Sequence, residues 1–158
     1  MGNFLTLKVG DRVVRYGRVL KVFQIKGDTV YFQPHFNPQT SNGLTYQISL
    51  KNVTKSNIRK LVTKQKLQDL FKSILNTDSE LGAINDLEIR SSLNANNLLQ
   101  TLKVIKNLWL EKTGRPGTLA SGKQNIYQQA MDQATEEVAA VKGLKLDKAR
   151  QVIISALG

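Results

Sequence analysis

Arg59-Lys60-Leu61-Val62-Thr63-Lys64-Gln65-Lys66-Leu67-Gln68-Asp69-Leu70-Phe71-Lys72-Ser73-Ile74-Leu75 is the stretch in which the chain changes its period. Before it, apolar side chains alternate as strands require. From Thr63, placed to cap a helix, Leu67, Leu70, Phe71, Ile74 and Leu75 recur at three and four residues. The charge changes at about the same place: residues 1–72 carry 13 Lys/Arg against 3 Asp/Glu, and residues 73–158 carry 10 against 9. Two modules with separate tasks are expected, one over 1–62 and one over 63–158.

Working back toward the start, Leu44-Thr45-Tyr46-Gln47-Ile48-Ser49-Leu50 puts Leu44, Tyr46, Ile48 and Leu50 on one face and Thr45, Gln47 and Ser49 on the other. Thr29-Val30-Tyr31-Phe32, ended by Pro34, reads as another strand, as does Arg18-Val19-Leu20-Lys21-Val22-Phe23-Gln24-Ile25. Leu7 to Val14 places a Gly10-Asp11 turn before a β-branched pair. Four or five short strands in so few residues predict a small, strongly bent barrel of the SH3 or Tudor kind, with an edge strand able to pair with a foreign one.

Working forward, Asp78 is placed to cap a helix with Leu81, Ile84 and Leu87 inside. A third helix is expected from about Asn96 to Lys112, its stripe formed by Leu98, Leu102, Ile105 and Trp109. Thr113-Gly114-Arg115-Pro116-Gly117 breaks it. Ser121 is placed to cap a long helix bearing Ile126, Ala130, Met131, Ala134, Val138 and Val141 and ending at Gly143. Asp147 opens a last helix with Ala149, Val152, Ile153 and Leu157. The expected class is α+β, a small N-terminal β-barrel followed by a compact all-α helical bundle.

The 158 residues include no Cys and one His, which removes thiolate catalysis, disulfides, cysteine zinc sites and multi-histidine metal cages together. Gly117 to Gln124 comes close to a phosphate-binding loop, but Gln124 stands where a magnesium-holding hydroxyl is needed and a helix, not a strand, precedes it. Glu136 and Glu137 are adjacent and would point about 100° apart on a helix, so they do not converge on one reacting atom. No catalytic constellation, metal site or cofactor is expected, nor a small-molecule substrate. No apolar run approaches the about 20 residues that span a bilayer, and the cytoplasm is the expected compartment. A net charge of +11 favours a polyanionic partner.

The order and spacing of these pieces resemble the CarD/CdnL family of bacterial transcription regulators, whose first module is also similar to the polymerase-interaction domain of transcription-repair coupling factor. Asn107-Leu108-Trp109 looks like the family's Asp-Leu-Trp, and Leu119-Ala120-Ser121-Gly122 like its Leu-Ser-x-Gly helix start. Ala130, Glu137-Val138-Ala139, Gly143, Ala149 and Ile153 continue the series. Leu7 to Val14 resembles the family's opening, and Gly43 to Leu50 with Asn52, Ile58-Arg59 and Leu61-Val62 its last strand and exit.

The resemblance implies a non-enzymatic, monomeric, nucleoid-associated regulator. Its barrel would pair with the RNA polymerase β subunit through Tyr46, Gln47 and Ile48, and its helical module would stabilise the open promoter by DNA contact without sequence specificity. The cations that would meet promoter DNA are Arg90, Lys103, Lys106, Lys112, Arg115 and Lys123. The alternative is a free-standing basic protein that binds RNA or DNA with no polymerase partner.

Overall fold

The computed structural model describes residues 6–15, 17–36, 45–75, 96–114 and 120–158. The helix anticipated after Asp78 lies outside them. Five strands, β1 (Arg12–Arg15), β2 (Arg18–Lys26), β3 (Thr29–Pro34), β4 (Tyr46–Ser49) and β5 (Arg59–Lys60), form one antiparallel sheet in the order β4-β3-β2-β1-β5. The protein is α+β, with helices α1 (Lys64–Leu75), α2 (Leu98–Gly114), α3 (Ser121–Lys142) and α4 (Leu146–Leu157) following the sheet.

The sheet is not closed: β4 and β5 are its two edges and do not pair, so the expected small barrel is met only as a five-stranded antiparallel sheet with free edges. β5 is only two residues long and spans just Val13 and Val14 of β1. After β4 the chain winds through two short 3-10 turns, Leu50–Asn52 and Thr54–Ser56. Val53 and Ile58, from this segment, cap the inner core of Val13, Leu20, Val22, Val30 and Phe32. Apolar packing thus covers the gap that a strand pair would have closed.

The helices share a second core, in which Leu67, Leu70 and Ile74 of α1 meet Leu102, Ile105 and Leu108 of α2, Met131, Ala134 and Val138 of α3, and Ile153 and Leu157 of α4. Thr63 caps α1 as expected, its Oγ1 accepting from the Lys66 N–H at 3.1 Å. Helix α3 departs slightly from expectation: Ala120 holds the cap position, makes no side-chain cap bond, and leaves Ser121 as the first helical residue. Its far end is as read, with Gly143 at φ 67°.

A third apolar contact, Val14 and Val19 against Ala140, joins sheet to helices, with Phe36 and Leu61 beside it. Successive strand residues face opposite sides, so Val13 and Leu20 enter the inner core while their neighbours Val14 and Val19 meet α3. Two adjacent apolar residues per strand are what burial on both faces demands. The approach of α3 is close. Gly17, at φ 80° in the β1–β2 turn, would carry a Cβ only 2.3 Å from the Gln133 Cβ.

Candidate docking edge and basic surfaces

β4 lies at a sheet edge, so among the described residues it pairs with β3 alone. The Leu50 N–H donates to the Asp28 carbonyl at 2.7 Å, in the register that pairs Val30 with Ile48 and Phe32 with Tyr46. Bonded pairs alternate in an antiparallel ladder, so the main-chain groups of Ile48 and Tyr46 face β3 while those of Gln47 and Ser49 face the open side. The side chains of Tyr46 and Ile48 pack on the inner core, whereas Gln47 is exposed. The three residues anticipated for docking therefore divide their roles: Tyr46 and Ile48 anchor the edge, and Gln47 presents it.

The edge is held in a fixed relation to the helices by a polar junction. The Arg59 guanidinium in β5 donates to both carboxylate oxygens of Glu137, at 2.7 and 2.6 Å, and through Nε to the Asn96 carbonyl at 2.6 Å. Glu137, 1% exposed, also accepts from the Val62 N–H at 3.0 Å. Asn96 donates through Nδ2 to the Val14 carbonyl at 3.2 Å and to the Asn57 carbonyl. The preceding residue, Glu136, accepts from the Val19 N–H at 3.2 Å and pairs with the Arg18 Nε at 3.2 Å. Burial pushes the Glu136 carboxyl above its ordinary range, against the pull of the Val19 N–H and Arg18 and with a small push from Asp132. The adjacent glutamates do diverge, but both bolt α3 to the sheet. Their structural role was not anticipated; the signal was an ionisable pair amid the apolar Ala134, Val138 and Val141.

The cations expected to meet DNA do not gather into one patch. Arg90 and Arg115 lie outside the described residues. Lys106 is a correction: it is 5% exposed, its Nζ donates to the Leu157 carbonyl at 2.6 Å, and it lies 5.3 Å from the Trp109 ring centroid. Its long stem crosses apolar surface and its charge ties α2 to the end of α4, so it is not turned outward. Lys123 pairs with Glu111 at 2.9 Å, and exposed Lys112 sits 5.6 Å from the Tyr127 ring centroid, which places both at the end of α2 beside α3. Lys103 is nine residues before Lys112 on the same helix, about half a revolution round from it. Trp109 is half-buried against the helical core, as its stripe position implied.

His35, beside the β3 end, donates its main-chain N–H to the Val19 carbonyl at 2.9 Å, and its ring meets Phe36 edge-on. Burial, then the charges of Arg12 and Lys21, push its imidazole below the ordinary range. No cluster of three or more His, Asp or Glu able to hold a metal occurs among the described residues, and none of their helices is long and apolar enough to cross a membrane. No protein-family model matches the chain, and no curated protein matches it.

Proposed function

We propose that this chain is a non-enzymatic transcription regulator that docks on the RNA polymerase β subunit by adding β4 to one of its strands. The observation that carries the reading is the open side of β4, where the Gln47 and Ser49 main-chain groups are aligned for a further antiparallel or parallel partner. The family resemblance stated above supplies the identity of the partner, with the open sheet standing as a Tudor-like module. Once docked, the helices are held near promoter DNA at high effective concentration, so weak phosphate contacts from Lys103, Lys112 and Lys123 suffice to favour the open complex. The Arg59–Glu137 junction supports this division, because docking can position DNA contacts only if the two layers keep a fixed relation.

Gln47→Pro provides the test. It deletes an N–H that faces outward and leaves the β3 ladder intact, a substitution an edge strand tolerates. Unmodified protein should co-purify with polymerase core at moderate salt. Gln47→Pro should lose that association while melting normally, and Ser49→Ala, which keeps the main chain, should retain it. Absence of association by the unmodified chain, or equal association by Gln47→Pro, would overturn the proposal.

A further inference from the structure

The face of the sheet turned away from its inner core is only partly covered. α3 sits on Val14 and Val19 at one end. Beyond them the register lines up three rows across the strands. Arg12, Lys21 and Gln33 form the first, Gln24, Tyr31 and Gln47 the second, and Lys26, Thr29 and Ser49 the third. All three lie opposite the core face, since their strand neighbours Val13, Leu20, Val22, Ile25, Val30, Phe32 and Ile48 pack inward.

A β-bulge alters the middle row. The register shifts between Val22 and Gln24, so Phe23 and Gln24 together oppose Tyr31. Phe23 follows the inward-facing Val22 and so turns to the outer face, where it stands beside Tyr31, with ring centroids 6.1 Å apart and planes inclined at 56°. Neither ring belongs to any of the apolar cores, and both are half-buried. Arg12, Lys21, Gln24, Lys26 and Gln47 around them are exposed.

Positive charge dominates the part of this face beyond α3. No Asp or Glu occurs in β1, β2, β3 or β4. The acids beside the strands are Glu136 of α3, which is paired with Arg18 at the covered end, Asp28 in the turn between β2 and β3, and Asp11 before β1, whose carboxylate accepts from the Lys8 N–H at 3.0 Å. Arg12 spends one N–H on the Ala140 carbonyl at 3.0 Å and keeps the rest of its guanidinium at the surface.

We propose that this face is a platform for single-stranded nucleic acid, whose bases stack on Phe23 and Tyr31 while its phosphates meet Lys21, Lys26 and Arg12. Two adjacent rings with cations on either side along β2 and amides to the flanks are the elements of sequence-tolerant single-strand binding. A duplex fits less well, because its base faces are already occupied by neighbouring bases and only its phosphates could engage. An acidic peptide would use the cations but has no use for the rings. The inference stands apart from polymerase docking, since it concerns the isolated protein and the side chains of the sheet face rather than the main-chain groups of the β4 edge, Gln47 alone being common to both.

The experiment is fluorescence anisotropy of the purified full chain with a labelled oligo-dT of about 12 nucleotides, within the span that single-strand modules cover. Phe23→Leu and Tyr31→Leu keep apolar bulk and remove the aromatic face; each should weaken binding about tenfold, with melting followed by circular dichroism to establish folding. Lys21→Gln should reduce the slope of log affinity against log salt by about 0.7. Duplex of the same length should bind more weakly and be indifferent to Phe23→Leu. In parallel, unmodified protein is photocrosslinked to an oligonucleotide carrying 5-iodouracil, and the crosslink should map to the peptide spanning residues 22–33, a result that does not depend on any variant folding. Unchanged affinity in the folded Leu variants would overturn the proposal. Crosslinks confined to α2 and α3, or displacement by polyglutamate as effective as by unlabelled oligo-dT, would do the same, the last pointing to an acidic protein.

Discussion

Replacing Glu137 tests whether the sheet and the helices form one mechanical unit. Glu137→Leu keeps the volume but removes three accepted hydrogen bonds, two from Arg59 and one from the Val62 N–H. A buried N–H left without an acceptor costs about 1–3 kcal/mol. Breaking a buried ion pair costs about 3–5 kcal/mol, but the Arg59 side chain is 28% exposed and can recover some hydration, so the lower end applies. These two costs overlap, and a total of about 3 kcal/mol is expected, which for a chain of this size lowers the melting temperature by about 6–12 °C. Calorimetry of the parent, Glu137→Leu, Arg59→Leu and the double variant closes the cycle. The double variant should be less destabilised than the sum of the singles by at least about 1 kcal/mol, because neither partner is then left buried alone. A Glu137→Leu protein melting within about 2 °C of the parent, or strictly additive losses, would refute the idea that this junction couples the layers.

Gly17→Ala should destabilise by about 2–4 kcal/mol, combining a left-handed backbone with a collision against both Cβ and Cα of Gln133, and denaturant melts will register it. Glu136 and His35 pull stability in opposite directions with pH. Glu136 has its folded pKa raised, so the native state holds the extra proton and stability falls as pH rises from about 4.5 through the folded value; Glu136→Gln should flatten that part of a melting-temperature profile. His35 has its folded pKa lowered, so the unfolded chain takes up the proton first and stability is lost as pH drops below about 6.5; His35→Gln should remove that loss. Lys106→Met should cost about 1–2 kcal/mol through the orphaned Leu157 carbonyl, and filter binding should find its affinity for duplex DNA unchanged.

Local order was written plainly in the chain. Period-two alternation located β2, β3 and β4, and the three-and-four spacing located α1, α2, α3 and α4, because each element must bury one stripe and that stripe repeats with the element's own geometry. The Thr63 cap and the Gly143 stop were legible for the same reason: each depends on atoms within a turn of the residue itself. The alternation of Tyr46, Gln47 and Ile48 also showed which of them share a face, though not that their strand lies at the edge of the sheet.

What depends on distant atoms was not legible. Lys106 read as a polar-side cation, and only the arrival of the α4 carboxyl end, 51 residues away, made it an internal donor. Glu136 and Glu137 read only as adjacent carboxylates too divergent for catalysis until the β1–β2 hairpin and the β5 exit were laid against α3. Val53 and Ile58 join the inner core of the sheet from a segment with no strand pattern, a matter of packing rather than period. Phe23 shares a face with Tyr31 by alternation from Val22, but the bulge beside it, which adds Gln24 to the same row and keeps Ile25 inside, shows only in the strand pairing. By itself the sequence determined the elements and their buried stripes, since these answer to neighbours a few bonds away. Tertiary structure alone decided which charges face inward, which sheet edge stays open and which aromatic rings reach the surface, since those outcomes depend on chain segments brought together only by folding.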